Sequence, residues 1–297
     1  MKYVNVNEIA AKWNLSERSV RNYCAHGKIP GVILDGKTWR IPEDAVKPVR
    51  KKRAEKIAND ILTRLKMEKE AGIPGGIYHK VQIELTYNSN HMEGSRLTHD
   101  QTRYIFETNT IGIQDEVVNV DDIVETANHF RCIDQIIELA NYPLSEAFIK
   151  QLHYILKSGT SDSRKTWFAV GEYKRFENEV GGSATAKPAD VSGEMRNLLK
   201  RYNLSKQKTL KEIIQFHYEF EKIHPFQDGN GRTGRMIMFR ESLKNPDILP
   251  FIVLNENRSQ YIDGLKQYRE EQKVYKLVSL MQKEAEEYYQ QCKYFMG

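Results

Sequence analysis

From residue 76 onward one pattern recurs, with apolar residues three and four positions apart and polar residues between them. Ile77, Val81 and Leu85 fall on one helical face. Ile123, Ala127, Phe130, Ile133 and Ile137 form a second, Ile149, Leu152, Ile155 and Leu156 a third, and Leu210, Ile213, Ile214, His217 and Phe220 a fourth. At 3.6 residues per turn each set makes a single stripe, so amphipathic helices around a shared core are predicted. Strand-like alternation is scarce, which makes the fold class mainly α. Met236 to Leu243 read as another helix, which leaves residues 224–235 as a loop between two helices. His217 lies on an apolar face and reads as a core histidine, while His129 and His153 have no partner near them in sequence.

The first fifty residues are patterned differently. "VNEIAAKWNLSERSVRNYCAHGKIP" reads as a short helix with Ile9, Ala10 and Trp13 on one face, a tight connection at Asn14, and a second helix capped by Ser16 and packed through Leu15, Val20 and Tyr23. This is helix-turn-helix spacing. "IPGVILDGKTWRIPEDAV" then offers two short β-prone runs joined at Asp35-Gly36, a hairpin signal, with a break at Pro42. The stretch resembles the winged helix-turn-helix of the MerR and excisionase family, through "GKIP" at Gly27 to Pro30 and "WRIP" at Trp39 to Pro42. The resemblance implies that the second helix enters a major groove of double-stranded DNA, with Arg18, Ser19, Arg21 and Asn22 reaching bases or phosphates. Lys37 and Arg40 would hold the backbone from the wing. The alternative use of such a helix pair is as an adaptor for protein contacts.

Between these regions runs "KPVRKKRAEKIANDILTRLKMEKEAGIPGG", in which Ile57, Ile61, Leu62 and Leu65 have helical spacing and Gly72 with Pro74-Gly75-Gly76 ends the element. The basic cluster at Arg50 to Arg53 reads as a solvated connection. The predicted organisation is a small winged-helix domain over 1–50, a connecting helix and linker over 51–75, and a large helical domain over 76–297.

Composition narrows the function classes. A chain of 297 residues with 40% hydrophobic content suffices for one large and one small core. No basic and apolar leader pattern follows Met1, and apolar runs such as "GVIL" and "FIVL" fall far short of the ~18 residues of a membrane span, so a cytoplasmic protein without membrane contact is expected. Cys24, Cys132 and Cys292 are odd in number and far apart, which suggests neither a disulfide framework nor a zinc site. Residues 1–60 hold 13 Lys and Arg against 7 Asp and Glu, and the rest of the chain holds 32 against 33. The basic excess therefore belongs to the N-terminal region, where it would attract a polyanion.

The densest chemistry lies in "HPFQDGNGRTGR", residues 224–235. It combines a proton acceptor in His224, a hard-metal ligand in Asp228, unencumbered backbone N–H groups at Gly229 and Gly231, and fixed positive charges at Arg232 and Arg235. Those are the parts of a polyphosphate site with a base attached, seated where a helix N-terminus favours phosphate. His224 alone would read as an ordinary loop histidine. The company of Asp228, Asn230 and two arginines changes that.

The segment matches the Fic family signature H-P-F-x-D/E-G-N-G-R-x-x-R at every fixed position, and the resemblance extends over roughly residues 77–270. It implies an α-helical domain with a β-hairpin flap over the active site, and transfer of AMP from ATP to a protein hydroxyl. Carried onto this chain, His224 is the general base for the attacking Ser, Thr or Tyr hydroxyl. Asp228 would hold Mg²⁺ between the α- and β-phosphates. Asn230 with the backbone at Gly229 and Gly231 forms the anion hole; Arg232 would take the β-phosphate and Arg235 the γ-phosphate, and Gly234 is grouped with them. Pro225 and Phe226 read as packing residues that hold the loop.

Two further motifs extend the resemblance. "SNHMEG" places Ser89, Glu93 and Gly94 in the S/T-x-x-x-E-G/N pattern of autoinhibited Fic proteins whose inhibitory motif precedes the core. There the glutamate pairs with the second motif arginine, here Arg235, and blocks the γ-phosphate seat. "GEYKRFENEVGGSATAKP", with Val180, Gly181 and Gly182 at its turn, resembles the flap that positions a target segment by strand addition. Lys174 stands where arginine is usual. Tyr261 and Leu265 have a spacing that commonly borders the nucleotide pocket.

Gly231 in place of the lysine of Doc-like kinases, and Gly229 in place of the alanine of phosphocholine transferases, favour AMP transfer. Two alternatives stay open, a de-AMPylase in which Glu93 orients a hydrolytic water and a DNA-binding transcription regulator with a nucleotide-sensing core. Self-modification and homo-oligomerisation are also open.

Overall fold

A computed structural model of the chain describes residues 2–25, 28–48, 51–113, 117–245 and 247–296, with side chains for all of these but 51–60 and 296. Gly27 of the "GKIP" run and Arg50 of the basic cluster lie outside the described residues, as do the side chains of Lys51 to Arg53 and of Ile57. The chain folds as two compact units, Met1–Arg53 and Ala54–Gly297.

In the first unit, β1 (Tyr3–Val4), α1 (Val6–Trp13), α2 (Glu17–Ala25), β2 (Ile33–Asp35) and β3 (Thr38–Pro42) follow one another. Asn5 begins α1 with a reciprocal cap to Glu8, and Asn14, in the left-handed conformation, ends it. The strands form an antiparallel sheet in the order β1-β3-β2, and Asp35 pairs with Thr38 across a turn in which Gly36 takes φ 63°. Val6, Ile9, Ala10 and Trp13 of α1 meet Val20 and Cys24 of α2, Ile29 and Ile41 in one small core, with Leu15 and Tyr23 packed at its edge.

The second unit is helical. α3 (Lys51–Ala71), α4 (Ile77–Met92), α5 (His99–Thr108), α6 (Val120–Glu138) and α7 (Glu146–Lys157) precede a two-stranded hairpin, β4 (Glu179–Val180) with β5 (Ser183–Ala184). α8 (Pro188–Tyr202), α9 (Leu210–Ile223), α10 (Asn230–Lys244), α11 (Arg258–Glu271) and α12 (Tyr275–Met296) complete it. Ile61, Leu62 and Leu65 of α3 are buried in the main core, so this half of the helix is part of the unit's interior and more than a connection. Polar contacts tie the same half to its neighbours, Glu68 accepting from Tyr78 N of α4 at 2.8 Å and Lys69 donating to Glu138 of α6 at 2.6 Å. The α6 stripe divides between two cores: Phe130 packs with Leu97 and Ile105, while Ile133, Ile136 and Ile137 join the main core. A helix of 19 residues spans about 28 Å, so its ends meet different neighbours.

α10 occupies the centre and has no solvent face: every residue from Arg232 to Leu243 is buried. It begins at Asn230, inside the segment read from sequence as a loop, so Arg232, Gly234 and Arg235 are helical residues. Burial on all sides overrides the weak helix propensity of its two glycines. Among the described residues no helix is long and apolar enough to cross a membrane.

Candidate active site

The motif loop is fastened at both ends. At its start His224 caps α9 in the left-handed conformation, φ 51°, with its backbone N–H donating to Phe220 O at 2.9 Å. A non-glycine residue holds that conformation at some cost, and here loop contacts over-determine it. The His224 Nδ1 lies 3.3 Å from Glu221 O. A carbonyl can only accept, so Nδ1 carries the proton and Nε2 keeps its lone pair. Burial lowers the His224 pKa from its ordinary value; the Glu221 carbonyl opposes this, and the Lys174 charge adds to it, so the ring is neutral near pH 7. The Glu221 carboxyl, 3.7 Å from Nδ1, is pushed up to about 8 by burial and then by Glu93. Both groups are neutral at pH 7, and they form no ion pair there.

Asn230 closes the loop on itself. Its Oδ1 accepts from Phe226 N and its Nδ2 donates to Phe226 O, each at 2.8 Å. The side chain expected in the anion hole is thus committed to loop shape, which leaves the backbone donors of the first α10 turn to face an anion. Gly229, at φ 80°, is the N-cap of α10 and brings no side-chain cap to those donors. His153 braces the loop from α7: its Nδ1 accepts from Gly171 N at 2.9 Å, its Nε2 therefore donates to Asp228 O at 3.0 Å, and its ring stacks on Phe226 at 3.9 Å. Burial pushes its pKa down to about 3, so it serves as a neutral strut.

Five charges meet at Asp228. Lys157 Nζ lies 2.7 Å from Asp228 Oδ2 and also contacts Glu125 and Asp162, while Arg232 bonds Glu125 and reaches the same Asp228 oxygen at 3.2 Å. Burial opposes ionisation of Asp228, but Arg232 and Lys157 hold its carboxyl well below the usual carboxylate range. Sequence reasoning missed Lys157, Glu125 and Asp162. A lysine in the last turn of a helix reads as solvated, and only the tertiary fold brings it against an acid 71 residues away.

Arg235 faces α4. Its Nε donates to Ser89 Oγ at 3.0 Å, and one terminal nitrogen donates to Ser89 O at 2.9 Å and to Glu93 Oε1 at 2.6 Å. Glu93 is the C-cap of α4 and Gly94, at φ 97°, turns the chain away. The Glu93 carboxylate also lies over the first turn of α10, where a Cβ built on Gly231 would come within 2.2 Å of Oε1. A side chain at position 231 would force the Glu93 carboxylate to shift. Burial would raise the Glu93 pKa, but Arg235, and Arg232 beyond it, hold it below its ordinary value, so it is ionised.

Two assignments need correction. Gly234 does not face the loop; a Cβ there would lie 2.7–2.8 Å from His217 and Glu221, so it is a close-packing residue between α9 and α10. Tyr261 is buried behind Arg235 with its hydroxyl 2.5 Å from His217 Nε2, and Leu265 packs at the edge of the second core, so neither forms an open rim. The core reading of His217 agrees with this, since burial pushes its pKa down to about 3.

At the hairpin, Val180 pairs with Ser183, and Gly181 and Gly182 take φ 54° and 71° in the turn. The alternation expected from Tyr173 onward is confined to these two short strands. In the first unit Arg18, Arg21 and Asn22 lie on the exposed side of α2, and Lys37 and Arg40 on the hairpin. The Ser19 hydroxyl lies 2.9 Å from that of Ser16, which caps α2 by accepting from Ser19 N; Arg21 pairs with Glu17 at 2.8 Å and Arg40 with Asp35 at 3.4 Å.

Residues 143–241 match the Fic/DOC family model. Similar curated proteins include "Protein adenylyltransferase Fic" of Drosophila mojavensis, 29% identical over 223 residues, covering 70% of this chain and 38% of that protein. The protein of the same name from Nematostella vectensis is 28% identical over 198 residues, covering 61% and 42%. The chain thus spans well under half the length of these relatives. Among solved structures, a Fic domain containing signaling protein from Bacteroides thetaiotaomicron superposes with a TM-score of 0.63 at 22% identity, covering 80% of this chain and 95% of that one. Fic-1 of C. elegans superposes with a TM-score of 0.60 at 17% identity, covering 83% and 72%. Residues 143–241 are thus similar to the Fic/DOC family, and the helical fold is shared with these solved structures.

Proposed function

We propose that this protein is an adenylyltransferase that moves AMP from ATP to a Ser, Thr or Tyr hydroxyl of a protein, and that Glu93 holds it in check. The observation that carries this reading is the uncapped first turn of α10, with one anion, the Glu93 carboxylate, already lying over it and bonded to Arg235. A group of that charge in that place competes with phosphate for the same donors. His224, neutral and with Nε2 unprotonated, is fit to take the proton of an attacking hydroxyl. Arg232 and Arg235 supply guanidinium forks for the phosphates, with Arg235 free to do so only when Glu93 leaves.

Among the described residues no cluster of three or more His, Cys, Asp or Glu is set to hold a metal. A single ionised carboxylate still fits Mg²⁺, which is commonly bound by one or two carboxylates together with substrate phosphates. Asp228 would hold it, since both cation contacts fall on Oδ2 and half of the side chain is exposed. Bound there with ATP, the ion would offset phosphate charge at the α-phosphorus. Incubation with ATP radiolabelled at the α-phosphate, and separately at the γ-phosphate, tests the reaction class. Label retained on protein from the α position alone is expected, and retention from the γ position alone would replace this reading with phosphoryl transfer.

The first unit is proposed to bind double-stranded DNA. Support comes from the basic excess of residues 1–60 and from the exposed Arg18, Lys37 and Asn22. The full chain should retard duplex DNA at low salt, with affinity falling steeply as salt rises because bound cations leave the phosphates. Failure to retard any duplex at low salt would favour an adaptor role for this unit.

A further inference from the structure

We propose that Lys174 is the positioning residue that locks the 179–184 hairpin onto the loop carrying His224, and so sets where a segment held by that hairpin sits relative to the base. The proposal rests on the adenylyltransferase reading for its functional meaning, though not for its test. The Lys174 backbone N–H donates to Pro225 O at 2.8 Å. Its ammonium donates to Asn178 Oδ1 at 2.7 Å, to Thr185 Oγ1 at 2.6 Å and to Ile223 O at 3.3 Å. Asn178 precedes β4 and Thr185 follows β5, so one cation ties both ends of the hairpin to the carbonyl immediately before His224. Asn178 Nδ2 adds a bond to Phe226 O at 2.9 Å, and Thr185 Oγ1 donates to Asn178 O at 2.9 Å.

The chemistry of this knot is unusual for a structural lysine. Lys174 is 3% exposed, and the partners of its ammonium are a side-chain amide oxygen, a hydroxyl and a backbone carbonyl, none of them charged. Burying a cation against neutral acceptors costs stability that a neutral closure of the same loop would avoid. What the ammonium offers in return is three donors for three acceptors radiating to three separate chain segments. A neutral amine has only two N–H bonds, so deprotonation costs the knot one hydrogen bond, either one of these three or, if Thr185 turns its hydroxyl to the amine, the bond from Thr185 to Asn178. The charged groups that act on Lys174 are Glu194 and Glu177, which favour its protonated form; burial disfavours it more strongly and brings the pKa down to about 8. His224, on the adjoining loop, is neutral near pH 7 and its own pKa is lowered in part by the Lys174 charge. The lock should therefore be closed below pH 8 and should loosen as pH rises through that value.

Hydrogen exchange of the full chain, read by mass spectrometry and corrected for the pH dependence of intrinsic exchange, tests this without any catalytic step. In the native protein the amides of 178–185 should lose protection by about tenfold or more between pH 7 and pH 9 while those of α9 and α10 keep theirs. Lys174→Met should show the loosened hairpin at both pH values, and Lys174→Arg, which stays charged, should be protected and flat across the range. The His224 titration, followed by imidazole NMR, should move to higher pH in Lys174→Met. Hairpin protection that does not change with pH in the native protein, or equal protection in native protein and Lys174→Met, would overturn the proposal. If Lys174→Met fails to fold, seen as lost protection throughout α9, the native and Lys174→Arg series still decide it. Because no transfer is measured, a failed transfer assay and a failed lock are separate results.

Discussion

Glu93→Gly is expected to raise incorporation of α-labelled AMP by about tenfold or more, into the protein itself or into an added target. The substitution removes the 2.6 Å bond between Glu93 and Arg235 and the carboxylate lying over Gly231 at the start of α10. A hydrogen bond to a charged partner is worth about 1.5–3 kcal/mol, and the partial exposure of Glu93, 38% of its side chain, argues for the lower end. That still corresponds to about a tenfold change in the population able to seat the γ-phosphate. Helix α4 should survive, because position 93 is its C-cap and not an interior residue. Arg235→Ala should not imitate the activation, since the phosphate partner is lost together with the brake. Unchanged transfer in Glu93→Gly, combined with loss of AMP removal from pre-modified protein, would assign Glu93 to hydrolysis and replace the inhibitory reading.

His224→Ala should lower AMP transfer by about a hundredfold to ten-thousandfold, the range of a lost general base. ATP affinity, measured by calorimetry on Glu93→Gly and on Glu93→Gly with His224→Ala, should be nearly the same, because the phosphates depend on α10 and its arginines. The pH profile supplies an independent check. The base works only when neutral, and burial holds its pKa below the ordinary 6.5, so the rate should be sustained down to that pH and fall only under it. An acid limb centred above pH 6.5, or unchanged transfer in His224→Ala, would remove His224 from the proton-transfer step.

Periodicity and local chemistry in the sequence determined a good deal. The apolar spacing of Ile77, Val81 and Leu85, and of Ile149, Leu152 and Leu156, predicted helices whose faces are buried as expected, because a stripe of that width has no stable alternative in water. The twelve residues from His224 to Arg235 were legible as a candidate phosphate site because few other functions need that mixture, and they fall within the stretch that matches the Fic/DOC family model. The pairing of Glu93 with Arg235, implied by the resemblance, is present; the bond from Arg235 to Ser89 was not foreseen, though residues four apart share a helical face.

Only the tertiary structure decided the rest. That Asn230 spends its side chain on Phe226, and that Gly234 makes room for His217 and Glu221, follows from how closely α9 and α10 approach, which no window of sequence contains. Nothing local in the sequence marked Lys157 and Glu125 as buried, and Lys174 stood out only as a replacement for the usual arginine, since an isolated Lys or Glu is most often exposed. Their burial becomes tolerable only when partners distant along the chain are brought within hydrogen-bond reach, as Asp228 is to Lys157 and Ile223 is to Lys174. Local propensity and periodicity act over a few residues, so they specify elements and the motifs on them. The Coulombic and hydrogen-bonding terms that assign roles to charged groups act between elements, and they take their values only once the core has packed.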